Sequence, residues 1–137
     1  MKLEKIILLL DKENNDDLLD YVIPFIREYS SMVYFLYVIE IPVKYDIDYE
    51  VGNEISLGET ILSNTNKYLQ EKKINYDLNG ENFILLQSRN TGVGIVKEAK
   101  RIKANVIFYR KQKNDDSYKY KYIDKYSEVD TIQLFKV

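Results

Sequence analysis

Histidine and cysteine are both absent from this chain of 137 residues. Without cysteine there is no disulfide, no thiol nucleophile and no thiolate ligand. Without histidine the commonest metal ligand and the commonest general base are also missing. No serine lies in a G-x-S-x-G pattern, and Gly92 and Gly94 form an isolated GxG rather than a P-loop or dinucleotide-binding pattern. We therefore expect a protein that is not an enzyme.

Long hydrophobic runs are missing too. The longest apolar stretches fall short of the ~18 residues that a membrane span needs, and no signal-peptide pattern opens the chain. A hydrophobic content of 45% and a charged content of 31% are those of an ordinary globular protein. We expect one domain over residues 1–137, a cytoplasmic location and no membrane partner.

The formal net charge of −2 conceals an asymmetry between two parts of the chain. Residues 1–96 carry 9 basic and 16 acidic side chains, whereas residues 97–125 carry 10 basic and 4 acidic ones. A basic region can bind phosphates or nucleic acid, but most charge runs are solvated helix faces and loops. The second interpretation is favoured here.

Tyrosines alternate with lysines in Tyr118-Lys119-Tyr120-Lys121-Tyr122. Interleaved in this way, they could stack nucleic-acid bases while neutralising phosphates. At helical spacing Tyr118, Tyr122 and Tyr126 would instead lie along one face and pack on the sheet, with the lysines outward. Packing is the preferred interpretation, and nucleic acid is not the expected partner.

The most informative stretch is the apolar run Ile6-Ile7-Leu8-Leu9-Leu10, which ends at Asp11. A short apolar run bounded by turn residues is typical of a strand buried on both faces, in the middle of a parallel sheet. Asp11 would then lie at the carboxyl end of a central strand, where open α/β sheets bind their ligands. A helix cap or an exposed strand-end carboxylate is the alternative role.

The remaining pattern alternates strands with helices. Strands are predicted over residues 5–10, 32–39, 82–87, 105–109 and 131–137, and helices over about 16–30, 55–73, 93–104 and, as a short helix, 118–126. This order predicts an α/β fold of the doubly wound type, a five-stranded parallel sheet with helices on both faces. The mixed polarity of the last strand favours an edge position.

An acidic stretch from Glu40 to Glu54 interrupts this alternation, and we expect it to be a mobile loop. Its Asp46, Asp48 and Glu50 have a spacing that hints at a hard-cation site. No glycine turn and no distal glutamate complete a calcium loop, so we expect no metal there.

Three pieces of the sequence resemble the universal stress protein family. Residues 5–11 are similar to the family's opening strand with its terminal aspartate. Pro24 stands where a mid-helix proline is frequent, before the strand end at 36–39. Residues 94–108 are similar to the passage from the third helix into the fourth strand. The resemblance covers essentially the whole chain. It implies the adenine nucleotide alpha-hydrolase-like fold with sheet order 3-2-1-4-5, and a homodimer formed through Thr131 to Val137.

The resemblance also implies where a nucleotide would bind. Asp11 and Val38 match positions that contact adenine in the ATP-binding members, which share a glycine pattern after the fourth strand. Here residues 109–117 contain no glycine, so the phosphate cradle is expected to be lost, and segment 110–130 is divergent. Arg110, Lys111 and Lys113 could still hold phosphates as point charges, although Asp115 and Asp116 oppose this.

Three functions follow as hypotheses. The first is a small stress-response binding or interaction module with an unknown protein partner, which neither hydrolyses ATP nor binds it tightly. The second is a switch that holds ATP or AMP with Asp11 and the basic segment 110–113. The third is nucleic-acid binding through residues 97–125. The predicted residual nucleotide pocket consists of Asp11, Val38 and Arg110.

Overall fold

Strands and helices alternate throughout the computed structural model, which describes residues 3–111 and 118–135. The elements are β1 (Lys5–Leu9), α1 (Asp16–Tyr29), β2 (Met32–Glu40), α2 (Gly52–Glu71), β3 (Phe83–Ser88), α3 (Thr91–Ile102), β4 (Val106–Lys111), α4 (Tyr118–Tyr126) and β5 (Asp130–Phe135). The strands form one parallel sheet in the order β3-β2-β1-β4-β5. The predicted doubly wound fold, its sheet order and the edge position of the last strand are confirmed. In the described part of the chain, no helix is long and apolar enough to cross a membrane.

Strand β1 lies in the middle of the sheet because it is apolar on both faces. Ile6 is paired with Val33 of β2 on one side and with Val106 of β4 on the other. Successive side chains of a strand point to opposite faces. Ile6 and Leu8 accordingly pack into the core under α1 and α2, and Ile7 and Leu9 pack into the core under α3 and α4.

Several element ends differ from the prediction. The loop predicted over residues 40–54 is shorter, since β2 includes Glu40 and α2 begins at Gly52. Arg110 was predicted to follow the fourth strand but lies inside β4. The two strands are longer because a polar side chain does not stop the backbone ladder: Glu40 still pairs with Ser88 of β3, and Arg110 with Leu134 of β5. The segment 112–117 lies outside the described residues.

Helix α4 confirms the short helix predicted over 118–126, but the predicted tyrosine face is wrong in part. Ile123 of this helix is fully buried, and Tyr122 is half-buried against the same core. Tyr126 remains 49% exposed, with its ring centroid 4.6 Å from that of Tyr122. The core under α3 is thus closed by the aliphatic Ile123 of α4. The side chain of Tyr118 lies outside the described residues.

Candidate functional site

A cavity of about 650 Å³ opens at the carboxyl ends of β1 and β2. This volume is in the usual range for small-molecule sites, and the place is the one where doubly wound sheets bind ligands. Its walls are formed by Leu9, Leu10, Asp11, Lys12, Glu13, Tyr37, Val38, Glu40, Pro42, Tyr45, Val51, Glu54, Thr91 and Arg110. The three predicted site residues, Asp11, Val38 and Arg110, therefore lie around one cavity.

Arg110 is buried, with 5% of its surface exposed, and its guanidinium is held by the loop between β1 and α1. Nη1 donates to Oδ2 of Asp11 at 2.9 Å, and Nη2 donates to Oδ1 of Asp17. Both nitrogens also donate to the carbonyl oxygen of Asn14 at 3.2 Å. Two carboxylates thus neutralise this guanidinium. Only Nε, also buried, has no partner among the described residues.

The position of Asp11 is fixed by the side chain of Asn15. The Asn15 amide oxygen accepts the Asp11 backbone N–H at 2.8 Å, and its nitrogen donates to the carbonyls of Asp11 and Glu13, both at 3.1 Å. Asn15 occupies the N-cap position of α1, but its side chain makes no capping hydrogen bond there. Instead it ties the loop together, so the backbone that carries the Asp11 carboxylate opposite Arg110 is well defined.

Glu40, the last residue of β2, lies at the N-terminus of α3. Its Oε1 accepts from the Thr91 backbone N–H at 3.0 Å and from the Thr91 hydroxyl at 2.7 Å. The Asn90 side chain caps the same turn by accepting from the Val93 N–H at 3.2 Å. Helix N-termini attract anions because their first N–H groups are unpaired. At this helix the chain's own carboxylate already occupies that position.

The outer wall of the cavity is the loop at residues 41–51. The Arg89 Nη1 donates to the carbonyls of Ile41, Pro42 and Tyr45, at 3.4, 2.7 and 2.6 Å. The Gln87 amide donates to the carbonyls of Ile47 and Tyr49, both at 2.9 Å. These bonds give the loop a defined path over the end of β3. The mobility predicted for this stretch stays a prediction, and these contacts argue against it.

Negative charge predominates on the cavity wall. Of its six charged side chains in the described part of the chain, four are carboxylates, namely Asp11, Glu13, Glu40 and Glu54, and two are the cations Lys12 and Arg110. The Lys12 ammonium lies 3.9 Å from a Glu54 carboxylate oxygen. Burial raises the pKa of Tyr37, and the nearby carboxylates of Glu54 and Asp11 raise this pKa further. Each described cation of the wall therefore faces a carboxylate.

The acidic side chains that suggested a cation site do not form one. Asp46, Asp48 and Glu50 are all exposed along the loop. Across residues 3–111 and 118–135, no group of three carboxylate side chains is arranged to hold a metal ion. These three side chains follow one another along the loop and do not converge on a common point.

The sequence reasoning missed Asp17, Glu40 and Arg89 as parts of this site. The sequence did hold a signal for the contact between Asp11 and Arg110. Both residues lie at the carboxyl ends of strands that are neighbours in the order 3-2-1-4-5, so their side chains were candidates for an ion pair. For Glu40 and Arg89 the signal was only their position at the carboxyl ends of two neighbouring strands: Glu40 is the last residue of β2, and Arg89 directly follows β3. Asp17 carried no such signal, since it lies in the first turn of a helix.

No family model and no curated protein matches the sequence, but solved structures do match the fold. A universal stress protein from Archaeoglobus fulgidus in complex with dAMP is 14% identical, with a TM-score of 0.72 over 97% of this chain and 98% of that chain. A universal stress protein family member from Burkholderia pseudomallei is 12% identical, with a TM-score of 0.68 over 96% of each chain. A family member from Arabidopsis thaliana with AMP bound is 12% identical, with a TM-score of 0.59 over 98% of this chain and 92% of that chain.

These similarities concern the fold. The chain has the five-stranded parallel architecture of universal stress proteins along nearly its full length, so the predicted resemblance is confirmed at that level. At identities of 12–14% the similarity does not extend to function. Three of the matched structures hold adenine nucleotides, namely dAMP, cAMP and AMP.

Proposed function

With the universal stress protein fold as the premise, we propose that this chain is a stress-response binding module that does not hydrolyse ATP and does not bind it tightly. Its ligand site is the cavity around Asp11 and Val38, and the ligand is of the adenine type, held by shape and by the apolar wall. The observation that carries the proposal is that the buried Arg110 guanidinium is already held by the carboxylates of Asp11 and Asp17.

The apolar part of the wall favours a flat ligand. Leu9, Val38 and Val51 contribute aliphatic surface, and Tyr37 and Tyr45 contribute aromatic rings. Phosphoryl transfer depends on cations positioned at the transferred phosphate, and both described cations of the wall, Lys12 and Arg110, face carboxylates. ATP would meet a guanidinium already paired with two carboxylates.

The binding site is tested by titrating the isotope-labelled protein with adenosine and AMP while amide chemical shifts are recorded. We expect shifts concentrated at Asp11, Val38 and Glu40, with millimolar or high micromolar affinity. Shifts confined to other regions, or no shifts at millimolar ligand, would contradict the proposed site. A phosphate-release assay with ATP should show no turnover above that of a buffer blank.

The second candidate function, a nucleotide switch based on Asp11 and segment 110–113, is less well supported. The Arg110 side chain would have to leave two carboxylates and a carbonyl before it could hold a phosphate. Buried charge pairs resist such a change, since breaking one strands an uncompensated charge. Nucleic-acid binding through residues 97–125 stays a prediction.

The proposal includes a homodimer formed at β5. This strand pairs with β4 along one side, and the described residues leave its other side as a sheet edge. Half-buried Ile132 belongs to this strand and packs against the core that contains Phe108. Unpaired edges readily add a strand from another copy. Sedimentation equilibrium should give a dimer mass at micromolar concentration, and a monomer at that concentration would contradict this.

A further inference from the structure

Among the described residues, three features of the cavity wall could attract a phosphate, and each one already faces a carboxylate of this chain. The Arg110 guanidinium is held by Asp11 and Asp17. The N-terminus of α3 at Thr91 is occupied by Glu40. The third feature, the Lys12 ammonium, lies 3.9 Å from Glu54. A phosphate entering the cavity would displace these carboxylates or lie against them.

A ligand that lies against these carboxylates, or displaces them, loses binding free energy if it carries a phosphate but not if it is uncharged. A carboxylate and a phosphate a few ångströms apart in a half-buried site repel each other strongly, because little water lies between them to screen the two charges. Displacing Asp11 or Asp17 would forfeit a charge-assisted hydrogen bond to a buried guanidinium. An uncharged ligand of similar size meets neither cost and still gains the contact with Leu9, Val38 and Tyr37.

From these contacts we infer that the cavity takes an unphosphorylated nucleoside in preference to a nucleotide, and that Asp17 is the residue that sets this preference. The inference rests on the proposed adenine-type site. Asp17 suits this role because its side chain lies outside the cavity wall, so that it contacts no ligand and acts only by holding Arg110.

Asp17 can be changed with little risk to the fold. Its side chain is 63% exposed, and its Oδ1 accepts the Leu18 N–H at 2.9 Å, which an asparagine oxygen can also accept. Asp17→Asn keeps the shape and removes the charge that opposes a phosphate at Arg110. The matched control is Asp16→Asn, which removes the same charge from the same helix turn, at an exposed residue with no ion pair to Arg110.

The test is calorimetric titration of the full chain and of both variants with adenosine, AMP and ATP at one ionic strength. For the unchanged protein we expect the affinity to fall in the order adenosine, AMP, ATP. Asp17→Asn should raise the affinity for AMP relative to adenosine by about 10-fold, the factor that corresponds to about 1.4 kcal/mol for one charge-assisted contact. Asp16→Asn should change this ratio less than about twofold.

Two results would overturn the inference and leave the binding site itself intact. One is tighter binding of ATP than of adenosine by the unchanged protein. The other is an equal change of the AMP-to-adenosine ratio in both variants. Absence of heat with all three ligands in all three proteins would instead refute the proposed adenine-type site, and the inference with it. Circular dichroism of each variant confirms that the comparison is made between folded proteins.

Discussion

The Arg89 guanidinium donates to the Tyr45 carbonyl oxygen at 2.6 Å, and so joins the end of β3 to the loop that forms the outer wall of the cavity. This contact spans 44 residues of sequence. Together with the two other carbonyls that Arg89 reaches, it makes a single side chain the main connection between the loop and the sheet.

Replacing Arg89 by alanine should loosen the loop without unfolding the domain. Hydrogen bonds from a charged donor contribute about 1.5–3 kcal/mol each, so backbone amides of residues 41–51 should exchange about 10-fold faster or more. Hydrogen exchange followed by mass spectrometry measures this directly. Lys97→Ala, an exposed site on α3, serves as the control and should leave exchange in the loop unchanged. Equal exchange in both variants would show that Arg89 does not hold the loop.

Arg110 should prove to be important for stability. Arg110→Met leaves Asp11 and Asp17 without their cation, and we expect a loss of about 2–4 kcal/mol in the free energy of unfolding. Asp11→Asn should cost less, about 1–2 kcal/mol, since Asp17 and the Asn14 carbonyl still hold the guanidinium. Urea denaturation of both variants and of the double variant gives a coupling energy, expected at about 1–2 kcal/mol.

A double-mutant cycle on a second ion pair of the same cavity gives a coupling energy for comparison with that of Arg110 and Asp11. Lys12 and Glu54 form an ion pair at 3.9 Å, with side chains that are 66% and 40% exposed. Exposed pairs contribute little because water and salt screen them. Their coupling should be below about 0.5 kcal/mol. Similar coupling energies for both pairs would contradict the role given to the burial of Arg110.

Tyr68 of α2 should make stability depend on pH in the alkaline range. Its hydroxyl donates to Oδ1 of Asp20 in α1 at 2.5 Å, and this hydrogen bond raises the pKa of Tyr68 to about 12. The protonated form is thus favoured in the folded state, so the stabilisation is complete below pH 10 and is lost as the pH rises through about 12.

Unfolding of the unchanged protein and of Tyr68→Phe should be compared between pH 8 and 12. Since the pair is largely solvent-accessible, we expect a difference of only about 0.5–1 kcal/mol below pH 10, shrinking towards zero near pH 12. Tyr29→Phe, at a site that is 63% exposed, should show no such trend. A difference for Tyr68→Phe that grows with pH would have the wrong sign for this hydrogen bond.

Gly58 lets α2 lie close to the sheet. A Cβ atom at this position would be 2.4 Å from Leu85 Cδ1 and 3.1 Å from Tyr37 Cδ2. Gly58→Ala should therefore destabilise the protein by about 1–3 kcal/mol, despite the better helix propensity of alanine. Gly52→Ala, where nothing lies within 4 Å, should be neutral or slightly stabilising. Thermal denaturation distinguishes the two, and equal melting temperatures would contradict the close approach.

The architecture was predictable because it depends on residue types. The apolar run Ile6 to Leu10 requires burial on both faces, and this places β1 at the centre and Asp11 at the ligand edge of the sheet. The alternation of elements then leaves few topologies. Val38 was predicted only through the resemblance to the universal stress protein family, and it lies near the end of the neighbouring strand β2.

The contact of Arg110 with Asp17 was not predictable, because side-chain direction depends on the register of β4. A shift of one residue turns every side chain of a strand to the other face. The sequence placed Arg110 in a loop facing phosphates, whereas the extended pairing of β4 turns it towards Asp17. The buried side of α4 was not predictable either. The helical spacing of Tyr122 and Tyr126 did not reveal that Ile123 would be buried.

The central position of β1 has a consequence for how the molecule forms. Val106 is the pairing partner of Ile6 in β4, and it is synthesised 100 residues after Ile6. Until then the growing chain holds an open sheet with one edge of β1 unpaired, and contacts of such long sequence separation form slowly. Asp11 and Asp17 acquire their cation, Arg110, at the same late stage. The ligand cavity is therefore among the last parts of the protein to be assembled.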